Sequence, residues 1–169
     1  MSDTLSGPSP TSPDPNADSP SNDTPPDKTT RFLAFLIDGV LVAVVSAVLA
    51  PLSAALGSLL GGIYFLVRDG LELDFMNQRS LGKHVMNLKV ERVDGAPMNI
   101  ETSARRNWVF ALGVVSALVG AIPLIGWLLA LPVSLVGLAL VLYEGYRVIT
   151  RDDQQRWGDD FADTRVVRS

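Results

Sequence analysis

The sequence predicts an all-α membrane protein. Its core is a small bundle of four transmembrane helices in two helical hairpins, joined by a short extended cytoplasmic connector and preceded by a disordered tail. Three observations predict this. All fourteen Lys and Arg fall outside two windows, 32–67 and 107–146. Each window holds one acidic residue, Asp38 and Glu144. At 1.5 Å per residue each window spans roughly 54–60 Å as helix, about twice the ~30 Å thickness of bilayer hydrocarbon. The hydrophobic fraction of 47% and mean hydropathy of +0.26 are high for a soluble domain of 169 residues.

The N-terminal stretch, 1–28, reads as an acidic Pro/Ser-rich tail. Residues 1–30 carry five Asp against one Lys and no aromatic residue. Such a segment buries too little apolar surface to offset its ordering entropy. The net charge of −4 comes largely from it, and no nucleic-acid partner is suggested. The chain has no cysteine, which excludes disulfides, thiolate metal sites and cysteine nucleophiles. With a long polar stretch before the first apolar run, that run reads as a retained anchor and not as a signal peptide.

The transmembrane domain is expected over 29–167. Pro51 and Pro123 stand near the middle of the two windows, where a proline removes a backbone donor and disfavours helix in the residue before it. The expected spans are about 32–49, 52–68, 106–121 and 127–147. Pro132 lies inside the fourth, so one span plus a re-entrant piece is the alternative for the second hairpin. With four spans both far turns are uncharged and the cations gather on one side. The positive-inside rule makes that side cytoplasmic, together with both termini, and the cell membrane the expected location. Small residues in the second span suit close helix packing. Trp108 and Tyr143 suit an interfacial belt.

Asp38 is the one formal charge between Phe32 and Val67. A carboxylate in hydrocarbon costs about 2.5–3.5 kcal/mol even on the lenient insertion scale, so it needs a partner, a cavity or a proton. Arg31 lies seven residues earlier, almost two turns away on the same helix face. Arg105 and Arg106 open the third span, and one of them turning inward would neutralise Asp38 bidentately; the alternative is plain positive-inside anchoring. Glu144 and Arg147 have the spacing of a local ion pair.

The connector, 69–105, contains Ser80-Leu81-Gly82-Lys83. Ser80 is expected to cap a short interfacial helix, with Lys83 and His84 facing lipid headgroups. Ser80-x-x-Lys83 also matches a pattern of some acyl-transfer enzymes, with no supporting second motif. Met86–Val93 alternates loosely and is followed by Asp94-Gly95, which reads as a short strand and a turn. Residues 148–169 read as a cytoplasmic tail that folds back on the membrane surface, with Trp157 and Phe161 as anchors.

The order of these features resembles the RDD family of membrane proteins. Arg31 with Asp38, the Ser80–Lys83 connector, Leu88-Lys89-Val90, Asp94-Gly95, Arg105/Arg106, and Asp159 before Ala162-x-Thr164-x-Val166-Val167 carry the resemblance over roughly 28–167. The resemblance maps the family's one Arg and two Asp to Arg31, Asp38 and Asp159. Four positions depart from the family's usual residues. Gln78, Asn87 and Asp163 stand where it has Gly, and Gly158 stands where it has His. The resemblance implies a small multi-pass bundle, and for some members transport such as cation/proton exchange.

Three readings follow. The first expected role is an accessory or structural membrane protein, in which Arg31, Asp38, Arg105, Arg106 and Asp159 form a static charge lock. The second is a transporter or cation/proton exchanger using Asp38. The third is a membrane enzyme, which has only Ser80, Lys83 and His84 to offer and ranks last; the chain is not expected to be an enzyme. No cofactor is indicated. The expected partners are the lipid bilayer and either a second copy of the chain or another membrane protein.

Overall fold

The computed structural model describes residues 25–72 and 78–169. The expected tail, apart from its last four residues, lies outside the described residues. Helix α1, Lys28–Leu49, starts where Asp27 accepts hydrogen bonds from the backbone N–H of Thr29 and Thr30 at 3.1 and 3.3 Å. It stops two residues before Pro51. Helix α2, Ala54–Val67, starts after the Ser53 hydroxyl caps Leu56 N–H at 3.3 Å. A 3-10 turn, Trp108–Phe110, leads into α5, Ala111–Gly120. Helix α6 runs from Gly126 to Thr150 straight through Pro132, so the proline does not divide it.

Three short helices sit at the polar ends of these: α3, Leu81–Val85; α4, Ile100–Arg106; and α7, Trp157–Phe161. Ser80 caps α3, as the sequence suggests, by accepting Lys83 N–H at 3.3 Å.

The structure is mostly helical but not all-α. Strand β1, Leu88–Arg92, pairs antiparallel with β2, Thr164–Arg168, with Val90 opposite Val166. The sequence predicts a strand in the connector and only a surface tail at the C-terminus. A strand needs a partner for its backbone N–H and C=O groups, and the Thr164–Val167 run supplies it. Leu88 and Val166 then bury against Ala34 of α1, with Met86 packed beside them.

Helix α1 packs on α2, α2 on α5 and α5 on α6. Helices α1 and α6, of 22 and 25 residues, are long and apolar enough to cross a membrane; Ala54–Val67 and Trp108–Gly120 are shorter apolar helices. Their outer faces expose Val48, Leu135 and Leu142. The buried interior, by contrast, includes Asp38, Asp69, Arg106 and Asp159. A water-soluble domain shows the reverse distribution.

Candidate functional site

Three carboxylates organise the polar end of the molecule. Each is 1% exposed or less. Asp38 points from α1 towards the end of α2. Its Oδ2 accepts from Arg68 Nη1 at 2.7 Å, and its Oδ1 accepts from Gly82 N–H at 2.8 Å and from the Tyr64 hydroxyl at 3.1 Å. Gly82 allows this because α3 lies directly on α1. A Cβ at that position would stand 1.9 Å from the Ala34 carbonyl oxygen. The Arg68 guanidinium also sits over Phe65 at 4.6 Å, and over Phe35 and Phe110 at 5.9 Å. Those cation–π contacts help to hold a desolvated cation.

Of the two alternatives for Arg105 and Arg106, the one that pairs either with Asp38 does not hold. Neither Arg105 nor Arg106 neutralises it; the residue that does is Arg68, at the end of the same hairpin. Helix α4 turns about 100° per residue, so its two arginines diverge. Arg105 is exposed, donates to the Phe161 carbonyl at 3.3 Å and lies over the Phe161 ring. Arg106 turns inward and bridges two other carboxylates, with Nη1 to Asp69 Oδ2 at 3.0 Å and Nε to Asp159 Oδ1 at 2.6 Å.

Asp69 follows Arg68 immediately. Its Oδ1 is paired with Lys83 Nζ, and its Oδ2 also accepts from Asn107 at 3.2 Å. Lys83 is thus buried in the network and does not face lipid headgroups, whereas His84 is exposed. Lys83 Nζ is engaged with Asp69 while Ser80 serves as a helix cap, so the two side chains are not paired as a nucleophile and base. Burial alone would raise the Asp69 carboxyl, but Lys83, Arg106 and Arg68 outweigh it and hold it below the usual carboxylate range.

Asp159 comes from α7 and completes the cluster. Besides Arg106 it meets Arg31 Nη2 at 3.3 Å and Arg156 Nη2 at 3.1 Å, and it accepts Arg156 N–H at 3.1 Å. Burial opposes its charge most strongly, yet Arg106, Arg156 and Arg31 hold the carboxyl well below its ordinary range. Of the two adjacent aspartates, Asp160 is the outer one and pairs with Arg147. Arg31 also donates to the Gln154 carbonyl at 2.7 Å, so it serves Asp159 and not Asp38 below it on the same helix.

Glu144 departs from expectation as well. It does not pair with Arg147 but accepts Gly158 N–H at 3.0 Å, tying α7 to α6. Gly158 is needed for close approach, since a Cβ there would meet the Arg106 carbonyl oxygen at 1.9 Å. Trp108, Tyr143 and Trp157 do gather, with ring centroids 5.4 and 6.4 Å apart around Trp157.

The three positions that depart from the family's glycines share one backbone feature. Gln78, Asn87 and Asp163 have φ of 57°, 51° and 49°, the left-handed region that favours glycine.

Sequence reasoning missed Arg68, Asp69, Lys83 and Arg156 as members of the network. The one available signal was the Arg68-Asp69 pair standing where an apolar window ends.

The RDD family model matches residues 25–163. No curated protein and no solved structure matches the chain. The family match takes in α1, the connector, α6 and the Asp159 helix, so it covers every residue of the charge cluster. On that match the chain belongs to the RDD family of membrane proteins.

Proposed function

We propose that this is a four-span protein of the cell membrane, with both termini cytoplasmic, that acts as an accessory or structural protein and not as an enzyme. In this reading the two shorter apolar helices, α2 and the Trp108–Gly120 segment, span with α1 and α6, and the charged cluster lies at the cytoplasmic boundary. The cluster is a fixed lock. It ties the first hairpin to the connector and the C-terminal segment, and it leaves the outer helix faces to lipid and to another membrane protein or a second copy.

One observation carries the reading. All six carboxylate oxygens of Asp38, Asp69 and Asp159 already accept from donors on other parts of the chain. An exchanging carboxylate must give up its donors to take up an ion, and here that would strip Arg68 of Asp38, Lys83 of Asp69, or Arg31 and Arg156 of Asp159. That costs about 3–5 kcal/mol.

The test uses proteoliposomes. Asp38→Asn combined with Arg68→Met is expected to insert, accumulate and give the same sodium and proton fluxes as the native protein. A well-folded Asp38→Asn protein that loses a flux carried by the native protein would favour cation/proton exchange instead.

A further inference from the structure

The four apolar helices form a curved row, α1–α2–α5–α6, and no packing of comparable extent closes it between α1 and α6. At the polar end the row is drawn together by Lys28 Nζ, which donates to the Ile149 carbonyl at 2.6 Å, and by Arg31 on Gln154. Beyond that end a cleft of about 570 Å³ runs inside the curve. Its walls include Val42 of α1, Ala54 and Gly61 of α2, Gly113 of α5 and Gly137 of α6, and no charged side chain lines it.

The polar end of the cleft is closed by rings. Phe65 and Phe110 line it and stack at 4.8 Å between centroids, and Phe35 packs on both, at 5.9 and 6.4 Å. Arg68, one turn further along α2, does not line it. At the opposite end the lining stops at Ala54 and Gly120, next to the turns Pro51-Leu52-Ser53 and Ala121-Ile122-Pro123-Leu124, which carry no formal charge.

Dimensions and charge decide what fits. Ala54 to Phe65 is eleven residues, about 17 Å of helix, close to the ~15 Å of one leaflet's hydrocarbon. A single hydrocarbon chain fits, and the uncharged walls and rim match it in charge where they would leave an ionic ligand without a partner.

We propose that the cleft is a binding site for one acyl chain of a far-leaflet membrane lipid, selected by the chain and not by an anionic headgroup. The chain would enter beside the uncharged turns, with its methyl end against the stacked Phe65 and Phe110 rings. This rests on the four-span reading above.

The full chain is reconstituted in phosphatidylcholine and separately in phosphatidylglycerol, and lipid retained per chain is counted by native mass spectrometry. Gly113→Leu is the filling variant, because a Cβ at Gly113 meets nothing within 4 Å. It replaces a helix glycine by a better helix former. Ala117→Leu, on the same wall, is the second variant. The expected result is one lipid retained by the native protein from either headgroup, and about tenfold less retained by each variant at unchanged helix content.

Retention unchanged in both variants, no retained lipid at all, or retention confined to phosphatidylglycerol would overturn the proposal. So would a dimer that the variants dissociate, since a second copy would then fill the cleft. Single cysteines at Leu52 and Leu124, both highly exposed, separate this failure from that of the span reading. Labelling of both by an impermeant maleimide from outside cells supports four spans whether or not lipid is retained. Absence of label overturns the four-span reading and the lipid site with it.

Discussion

Arg68 Nη1 donates to Asp38 Oδ2 at 2.7 Å, and the two residues stand thirty positions apart at the polar ends of the first hairpin's arms. The pair converts the one charge inside the first apolar window into a fastening between α1 and α2. Its other contacts, to Gly82 and Tyr64, bring α3 to the same point.

Arg106 bridges two carboxylates through different guanidinium nitrogens. A lysine ammonium is a point charge and cannot reproduce that geometry. Arg106→Lys is expected to destabilise the protein by about 3 kcal/mol, whereas Arg105→Lys, at an exposed position, is expected to cost under about 0.5 kcal/mol. Urea melts in detergent followed by circular dichroism check the contrast.

Gly82→Ala places a methyl group against the Ala34 carbonyl and within 3.1 Å of the Asp38 carboxyl carbon. Helix α3 must then lift from α1, and Asp38 loses the Gly82 N–H. A loss of at least about 2 kcal/mol is expected, seen as a lower melting temperature and reduced accumulation in membranes.

Gln78 has φ of 57° with a side chain that gains nothing from the left-handed region. Gln78→Gly is expected to stabilise by about 0.5–1 kcal/mol once glycine's own entropy cost is set against the relief of strain. Asn87→Gly is expected to gain less, because Asn tolerates this region better. Thermal melts of the two variants decide it.

The Asp69 and Asp159 carboxyls sit below their ordinary range because cations surround them. In the folded state they therefore take up protons less readily than in the unfolded chain, where Asp titrates near about 3.9. Their contribution is fully present above that value and is lost as pH falls further. The Trp157 fluorescence, which reports α7 docked beside Trp108, is expected to lose the Asp69 and Asp159 contribution only below about pH 4, any change between neutral pH and about 4 belonging to Glu144 on Gly158 N–H.

Much of this architecture was legible because membrane helices obey a strong rule: charges must leave the hydrocarbon. The windows 32–67 and 107–146 follow from it, the breaks at Pro51 and Pro123 from the donor a proline lacks, and the Ser80 cap from its hydroxyl oxygen. Pairing was less legible. Arg31 and Asp38 share a helix face, which suggests a common site, but side chains almost two turns apart meet different neighbours, and Arg31 reaches Asp159 instead. Lys83 in a basic connector looks solvated, and only the fold of α3 against α1 shows that it is buried on Asp69. The β1–β2 pairing joins segments more than seventy residues apart, so no local pattern announces it.

The central claim is that Asp38 and Arg68 form a static lock. A double-mutant cycle with Asp38→Asn, Arg68→Met and both together, read by unfolding free energy in detergent, tests it most directly. Each single variant is expected to lose about 3–5 kcal/mol by leaving a buried charge unpaired, and the double variant to lose no more than either single, a coupling of at least about 3 kcal/mol. Losses that simply add, or an Asp38→Asn protein as stable as the native one, would contradict it.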